Sequence, residues 1–241
     1  MIRKQIPLFI ILVVVILGIR SSIIEPFRIP TRSMLPTLFI GDFLFVNKFQ
    51  YSLHVPFSEI FGNRPWYLTE AKAPSRGDVV IFTPPEAGQE SLYIKRIAGL
   101  PGDRIRFHAK NLVLNGSPVQ KIEILGEERE KMLAQKGFDP ERRYTPSKLH
   151  LFRETIDSNT HLVLEDDSFE GIKSDSEIVV PEDHFFVLGD NRDDTRDSRV
   201  FGVISKHSIR GRAFAIWMSH RVSFSDSQWS FRPERVGKLI Q

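Results

Sequence analysis

Between Lys4 and Arg20 the chain carries no charge, and Ile6 to Ile19 reads IPLFIILVVVILGI. No other feature restricts the fold as much, because a helix that is apolar on every face needs lipid or a complete protein jacket around it. A bilayer asks for about 20 apolar residues, with about 17 as the lower bound. Ile6 to Ile24 reaches that length if Arg20 extends to the far headgroups. A cleaved signal peptide fits less well, because no small-x-small cleavage site follows the apolar run. Residues 1–24 are therefore expected to form a cytoplasmic N-terminus and a retained transmembrane anchor. Arg3 and Lys4 precede the run while Arg20, Arg28 and Arg32 follow it, so the positive-inside rule does not by itself orient it.

From Glu25 onward helical periodicity gives way to short β-rich runs beside glycine or proline. DFLFVNKF, GDVVIF, EIVVPEDHFFVLGDN and GRAFAIW all read as strands. YIKRIAGLPGDRIRF reads as strand, turn, strand, and NLVLNGSPVQKI carries the Asn-Gly of a tight hairpin. The stretch from Leu125 to Asp167, with GEEREKMLAQKGFDPERR, is polar and charge-dense, which suggests a short helix and loop within an inserted lobe. The expected organisation is a mainly β domain over residues 25–241, with its core in 25–107 and 185–241 and a β-rich lobe in 108–184. Cysteine is absent, which excludes disulfides, thiol nucleophiles and thiolate metal sites. The net charge of +3 without any long basic run gives no footprint for nucleic acid.

Three segments carry residues suited to chemistry. IPTRSMLPTL, Ile29 to Leu38, sets two hydroxyls, a cation and two prolines in an otherwise apolar stretch. Its prolines stiffen the backbone around Ser33, although Ser33 taken singly reads first as a local turn or cap hydroxyl. In YIKRIAGLPGD, strand alternation puts Tyr93, Lys95 and Ile97 on one face and Ile94, Arg96 and Ala98 on the other. Alternation leaves open which cation lies inside. Chemistry separates them, because a guanidinium stays protonated whereas a buried lysine can lose its proton. A lysine must fall about 3 units to act as a base near neutrality, at a cost of roughly 4 kcal/mol. On this reading Arg96→Lys is expected to be tolerated. GDNRDDTRDSR alternates charge densely, and Asp197 and Arg199 share a face of any extended stretch. A solvated turn is the plainer alternative there. Its interleaved arginines and lack of a sixth-position glycine exclude a calcium loop, and no metal site or cofactor motif is visible elsewhere.

Taken together and in this order, SMLPT, YIKRIAGLPGD and GDNRDDTRDSR followed by GRA resemble the type I signal peptidases, the leader peptidases of bacterial membranes. The similarity runs from about Phe27 to Ala213, with an unmatched stretch between Asp103 and Phe185. It implies an antiparallel-sheet catalytic domain behind one transmembrane helix. It also implies a serine endopeptidase that removes N-terminal signal peptides from exported preproteins, cleaving after a small-x-small site. Ser33 would be the nucleophile and Lys95 the general base. The Ser33 amide and the Thr31 hydroxyl would hold the oxyanion. Thr195 would orient the lysine amine, with Asp197 and Arg199 as a supporting pair, and Phe27, Ile29, Pro30, Leu38, Tyr93 and Ile94 would line the small-residue pockets. No cofactor or metal is implied. The implied partners are preproteins and the phospholipid surface, and the implied place is the bacterial inner membrane with the catalytic domain on the extracytoplasmic side. Thr31 and Thr195 stand where the family most often has serine, and Arg32 where glycine is frequent. Phe39, Phe57, Phe61, Trp66, Trp229 and Phe231, with Arg232 and Arg235, are candidates for an interfacial apolar patch. A membrane-anchored binding module without activity is the rival from another class, and the intact Ser33 and Lys95 speak against it.

Overall fold

The computed structural model of the chain describes residue 9 and residues 24–48, 51, 72–86, 91–139, 143–169, 176–223 and 228–240. Apart from Phe9 and Ile24, the expected anchor lies outside them. Among the described residues no helix is long and apolar enough to cross a membrane.

The chain enters the fold through β1 (Ile24–Arg28) and β2 (Asp42–Asn47), followed by β3 (Val79–Phe82) and β4 (Tyr93–Gly99). The lobe contributes β5 (Arg104–His108), β6 (Asn111–Leu114), β7 (Ser117–Pro118), β8 (Gln120–Ile124), helix α1 (Gly126–Leu133), β9 (Leu149–Ile156), β10 (Asn159–Asp166) and β11 (Ile178–Val179). The chain then returns through β12 (His184–Leu188), the single-turn helix α2 (Ser198–Phe201), β13 (Ile204–Ser205), β14 (Ile209–Ser223) and β15 (Gln228–Phe231). The main sheet has the order β1-β2-β14-β3-β4-β12-β13, with β15 paired to β14, and every pairing between its strands is antiparallel.

This sheet is buried on both faces where it carries the site. In β3, Val79 and Ile81 join one apolar cluster with Leu44, Ile94 and Ile216, while Val80 and Phe82 join another with Ile97, Phe185 and Val187. That is why VVIF is a continuous apolar run rather than an alternating one. β2 does alternate: Asp42, Leu44 and Val46 point inward, and Phe43 and Phe45 are half-buried.

The lobe consists of two small sheets, β11-β5-β6-β7 and β10-β9-β8. The Asn-Gly hairpin joins β6 to β7, with Asn115 and Gly116 both at positive φ (52° and 81°), as a tight two-residue turn requires. β5 pairs with β11 and β6 rather than with the core sheet, so the lobe's pairing begins at Arg104. The charge-dense stretch holds the expected short helix, α1. It also holds a regular hairpin, LHLFRETI paired antiparallel with NTHLVLED around Asp157 at φ 54°, the second strand being buried continuously from Val163 to Asp166.

The interfacial patch needs correction. Phe39 and Arg232 are fully buried and Arg235 nearly so. Arg235 lies 3.6 Å over the Phe39 ring and binds Asp42, so these residues lock the core instead of facing lipid. Phe231 remains exposed. Phe57, Phe61 and Trp66 fall outside the described residues, as does the Trp229 side chain.

Candidate active site

The Ser33 segment is wound rather than extended. Leu35 N–H donates to Arg32 O at 2.9 Å and Leu38 N–H to Met34 O at 2.8 Å. The winding places residues four apart on one side. Met34 and Leu38 enter the main-sheet cluster, whereas Leu35 and Phe39 enter the lobe cluster with Leu149 and Leu151. Ser33 is thus held on a wedge driven between two apolar cores. The stiffness predicted from the prolines has a second source in that burial.

Lys95 reaches the wedge from β4. Its Nζ is 2.7 Å from Ser33 Oγ and donates to Ile94 O at 2.8 Å. It lies 5.6 Å from the centre of the Tyr93 ring, its neighbour on the same strand face. Burial lowers the ammonium from 10.5 to about 8, against the opposing pull of Asp197 and Asp190. Thr31 Oγ1 stands 3.4 Å from Ser33 Oγ.

Both cations of β4 are inside, so burial does not set Lys95 apart from Arg96. Arg96 is 2% exposed. It forks onto Asp190 at 2.8 and 2.7 Å and donates to Gly77 O at 2.9 Å. Burial alone would raise the Asp190 carboxyl, but the Arg96 charge outweighs it and holds the group below its ordinary value. A lysine at 96 keeps the charge and forfeits the planar fork.

Asp197 and Arg199 pair, although not across an extended stretch. Asp197 caps α2, accepts from the Arg199 backbone N–H at 3.1 Å, and binds the Arg199 guanidinium at 2.9 and 2.8 Å. It also accepts from Gly189 N–H at 3.0 Å. Arg199 in turn donates to Arg192 O at 2.6 Å, which closes the turn on itself. Thr195 lines the same cavity as Ser33 and Lys95, but its buried hydroxyl makes no hydrogen bond. Lys95 is oriented here by Ile94 O instead.

The cavity measures about 440 Å³. Phe27, Pro30, Tyr93 and Ile94 line it, together with Leu92 and Ile40. Ile29 and Leu38, expected in the pockets, do not line it; both are fully buried in the main-sheet cluster. Arg32 lines the cavity too.

Gly189, Asp190 and Asn191 escaped the sequence reading as site residues. Asn191 N–H donates to Ser33 O at 3.2 Å, and its side chain donates to Arg32 O at 3.2 Å and Tyr144 Oη at 2.8 Å. A Cβ on Gly189 would lie 2.3 Å from Thr195 Oγ1 and 2.6 Å from Ser33 O, so only glycine fits. Asp190 also accepts from Thr37 Oγ1 at 2.5 Å. Its carboxylate therefore ties together all three motif segments. The lobe backs this turn. Leu164 N–H donates to Asp190 O and Leu164 O accepts from Arg192 N–H, and Arg192 makes a buried, forked ion pair with Glu154 of β9. The available signal was the density of acids in GDNRDD, which composition alone reads as solvated.

A buried amine beside a serine hydroxyl, with a second hydroxyl two residues upstream, suits nucleophilic attack on a carbonyl. Among the described residues no group of histidine and acidic side chains has the arrangement to hold a metal ion. The profile of the family described as "Signal peptidase, peptidase S26" matches residues 2–218. Signal peptidase I of Pseudomonas aeruginosa is 35% identical over 216 residues, which cover 85% of this chain and 68% of that protein. Signal peptidase I of Haemophilus influenzae is 34% identical over 270 residues, 97% of this chain and 74% of that one.

Proposed function

Because the chain belongs to the signal peptidase family, peptidase S26, we propose that it is a membrane-anchored serine endopeptidase that frees exported preproteins of their N-terminal signal peptides, with Ser33 and Lys95 as its dyad. The observation that carries this reading is the buried Lys95 amine 2.7 Å from the Ser33 hydroxyl. Neutral Lys95 takes the hydroxyl proton as Ser33 Oγ attacks the scissile carbonyl carbon. The resulting ammonium protonates the leaving amine, and the regenerated amine then activates the water that releases the acyl group. The Ser33 N–H and the Thr31 hydroxyl donate to the tetrahedral oxygen. Ile94 O orients the lysine, Thr195 fills the cavity wall beside it, and the Asp197–Arg199 pair closes the turn. Phe27, Pro30, Tyr93 and Ile94 give a tight apolar wall suited to the small residues of a small-x-small site.

The decisive experiment is cleavage of a purified preprotein as a function of pH. Burial sets the Lys95 value near 8, and only the neutral amine is a base. The rate is therefore expected to climb tenfold per unit below pH 8 and to level above it. Ser33→Ala is expected to be inactive throughout. A rate that is flat between pH 6 and 9, or an active Ser33→Ala, would remove the dyad.

The Ile6–Ile24 run supports a single-pass anchor in the bacterial inner membrane, with the residues from about Glu25 on the extracytoplasmic side, where a cleavage site emerges after translocation. Phe43, Phe45, Phe214 and Trp217, half-buried and in edge or stacked ring contact across β2 and β14 at 5.6 to 6.0 Å, offer an apolar face to the phospholipid surface. Protease added to spheroplasts is expected to digest the domain; complete protection would reverse the topology.

A further inference from the structure

The cavity around Ser33 has two unlike groups of lining residues. One is apolar, built by the start of β4 and by Phe27 and Pro30. The other is charged and comes from different parts of the chain: Arg32 from the wedge, Arg143 from the lobe, and Asp194 and Arg196 from the turn before α2. With Lys95, four cations face the cavity against a single carboxylate. That carboxylate is already engaged, because Asp194 accepts from Tyr144 Oη at 2.8 Å and lies 3.3 Å from Arg143. Arg196 lies at the rim with an exposed partner, Glu86. An exposed pair of this kind exchanges readily for another carboxylate, since it is worth little in water.

We infer that this charged group is a specificity subsite for an acidic side chain in the first residues after the scissile bond. The inference rests on the serine-peptidase reading above. If the apolar residues take the small side chains before the bond, the charged residues of the same cavity, Arg143, Asp194 and Arg196, are left to meet the chain after it. A carboxylate there finds a positive field in a concave, partly desolvated site, where charge pairing outweighs its value on an open surface. A lysine or arginine there meets like charge, which disfavours it by a similar amount. Arg32, beside the nucleophile, places one of these cations within a residue of the reacting centre, where a glycine would leave none.

The test uses the full chain in neutral detergent micelles. Its substrates are peptides that share one Ala-x-Ala cleavage site and differ only in carrying Asp, Ala or Lys at the second position after the bond. The Asp peptide is expected to be cleaved with kcat/KM about five- to tenfold above the Ala peptide, and the Lys peptide below it. The spread should narrow as salt rises from low to about 0.5 M, where screening acts within a few ångströms. Arg143→Gln combined with Arg196→Gln should shrink the Asp-to-Ala ratio to about twofold, whereas Arg153→Gln on the lobe surface should leave the ratio as it was. The ratio is the readout, because a loss of folding or of the dyad lowers all three rates together. Equal cleavage of the three peptides by the unaltered protein would overturn the subsite, as would an acidic preference that survives in the double variant. A preference that appears only with phosphatidylglycerol vesicles would assign these cations to headgroups instead. Cleavage of none of the peptides, or cleavage undiminished in Ser33→Ala, would strike the serine-peptidase reading itself.

Discussion

Lys95→Met is expected to abolish cleavage and, near neutral pH, to make the folded protein more stable. Methionine fills nearly the same space and cannot accept a proton. Loss of a positioned general base costs about 10²–10⁴-fold in rate, and the upper end is expected because the same amine also protonates the leaving group. The stability effect follows from burial. The folded value of about 8 lies below the unfolded value of 10.5, so between these limits the unfolded chain binds more protons than the folded one. Stability contributed by this group therefore rises with pH across that window, and the full penalty applies below about pH 8. The shift corresponds to roughly 3 kcal/mol. Removing the amine relieves that penalty but forfeits its hydrogen bonds to Ser33 Oγ and Ile94 O, each worth about 1 kcal/mol. A net gain of about 1–2 kcal/mol at pH 7 is expected, vanishing or reversing by pH 10.5. Paired denaturant titrations at the two pH values measure it. If Lys95→Met were less stable at pH 7 by the same margin as at pH 10.5, the lysine would not be desolvated in the way its setting indicates.

Thr31→Val is expected to lower kcat by about 10²–10³ with KM little changed. Charge reaches the substrate oxygen only as the tetrahedral intermediate forms, so a donor aimed there acts on the barrier more than on binding. Deleting one such donor typically costs roughly 3–4 kcal/mol. Valine retains the shape and β-branching of threonine, which isolates the hydroxyl. Thr31→Ser restores the donor without the methyl and should stay within about tenfold of the unaltered protein. If Thr31 only packs the turn, the order inverts, with valine tolerated and serine the more harmful. Single-turnover cleavage of one preprotein by the three forms distinguishes these outcomes.

Ser33, Thr31 and Lys95 were singled out through the resemblance that the three ordered segments carry together. Taken singly, Ser33 reads as a turn or cap hydroxyl. Strand alternation correctly put Lys95 beside Tyr93. It could not choose between Lys95 and Arg96, since β4 is buried on both faces and both cations are inside. The pocket assignments of Ile29 and Leu38 missed for two reasons. Ile29 continues the pairing of β1 with β2, donating to Asp42 O and accepting from Gly41 N–H, and its side chain lies in the core. Leu38 ends the wound segment, which turns side chains by about 100° per residue and carries it into the core. Spacing held a clue, since Met34/Leu38 and Leu35/Phe39 are each four apart. Asp190 was illegible because its partners lie far along the chain: Arg96 is 94 residues away and Thr37 is 153. The Glu154–Arg192 pair was hidden likewise, in a stretch whose composition reads as solvent-facing. The β9–β10 hairpin was hidden too, because β10 is buried from Val163 to Asp166 and does not alternate there.

The joining of three segments at one carboxylate also bears on when the molecule can act. During synthesis the serine leaves the ribosome first and the lysine follows, yet neither has its setting until Asp190 and the turn behind it have been made. Before then Arg96 has no counter-charge, and burying it alone would cost several kcal/mol. Without that burial β4 cannot pack, so Lys95 stays in water as an ordinary ammonium. An incomplete chain halted before residue 190 therefore carries Ser33 and Lys95 without the buried setting on which the dyad proposed above depends.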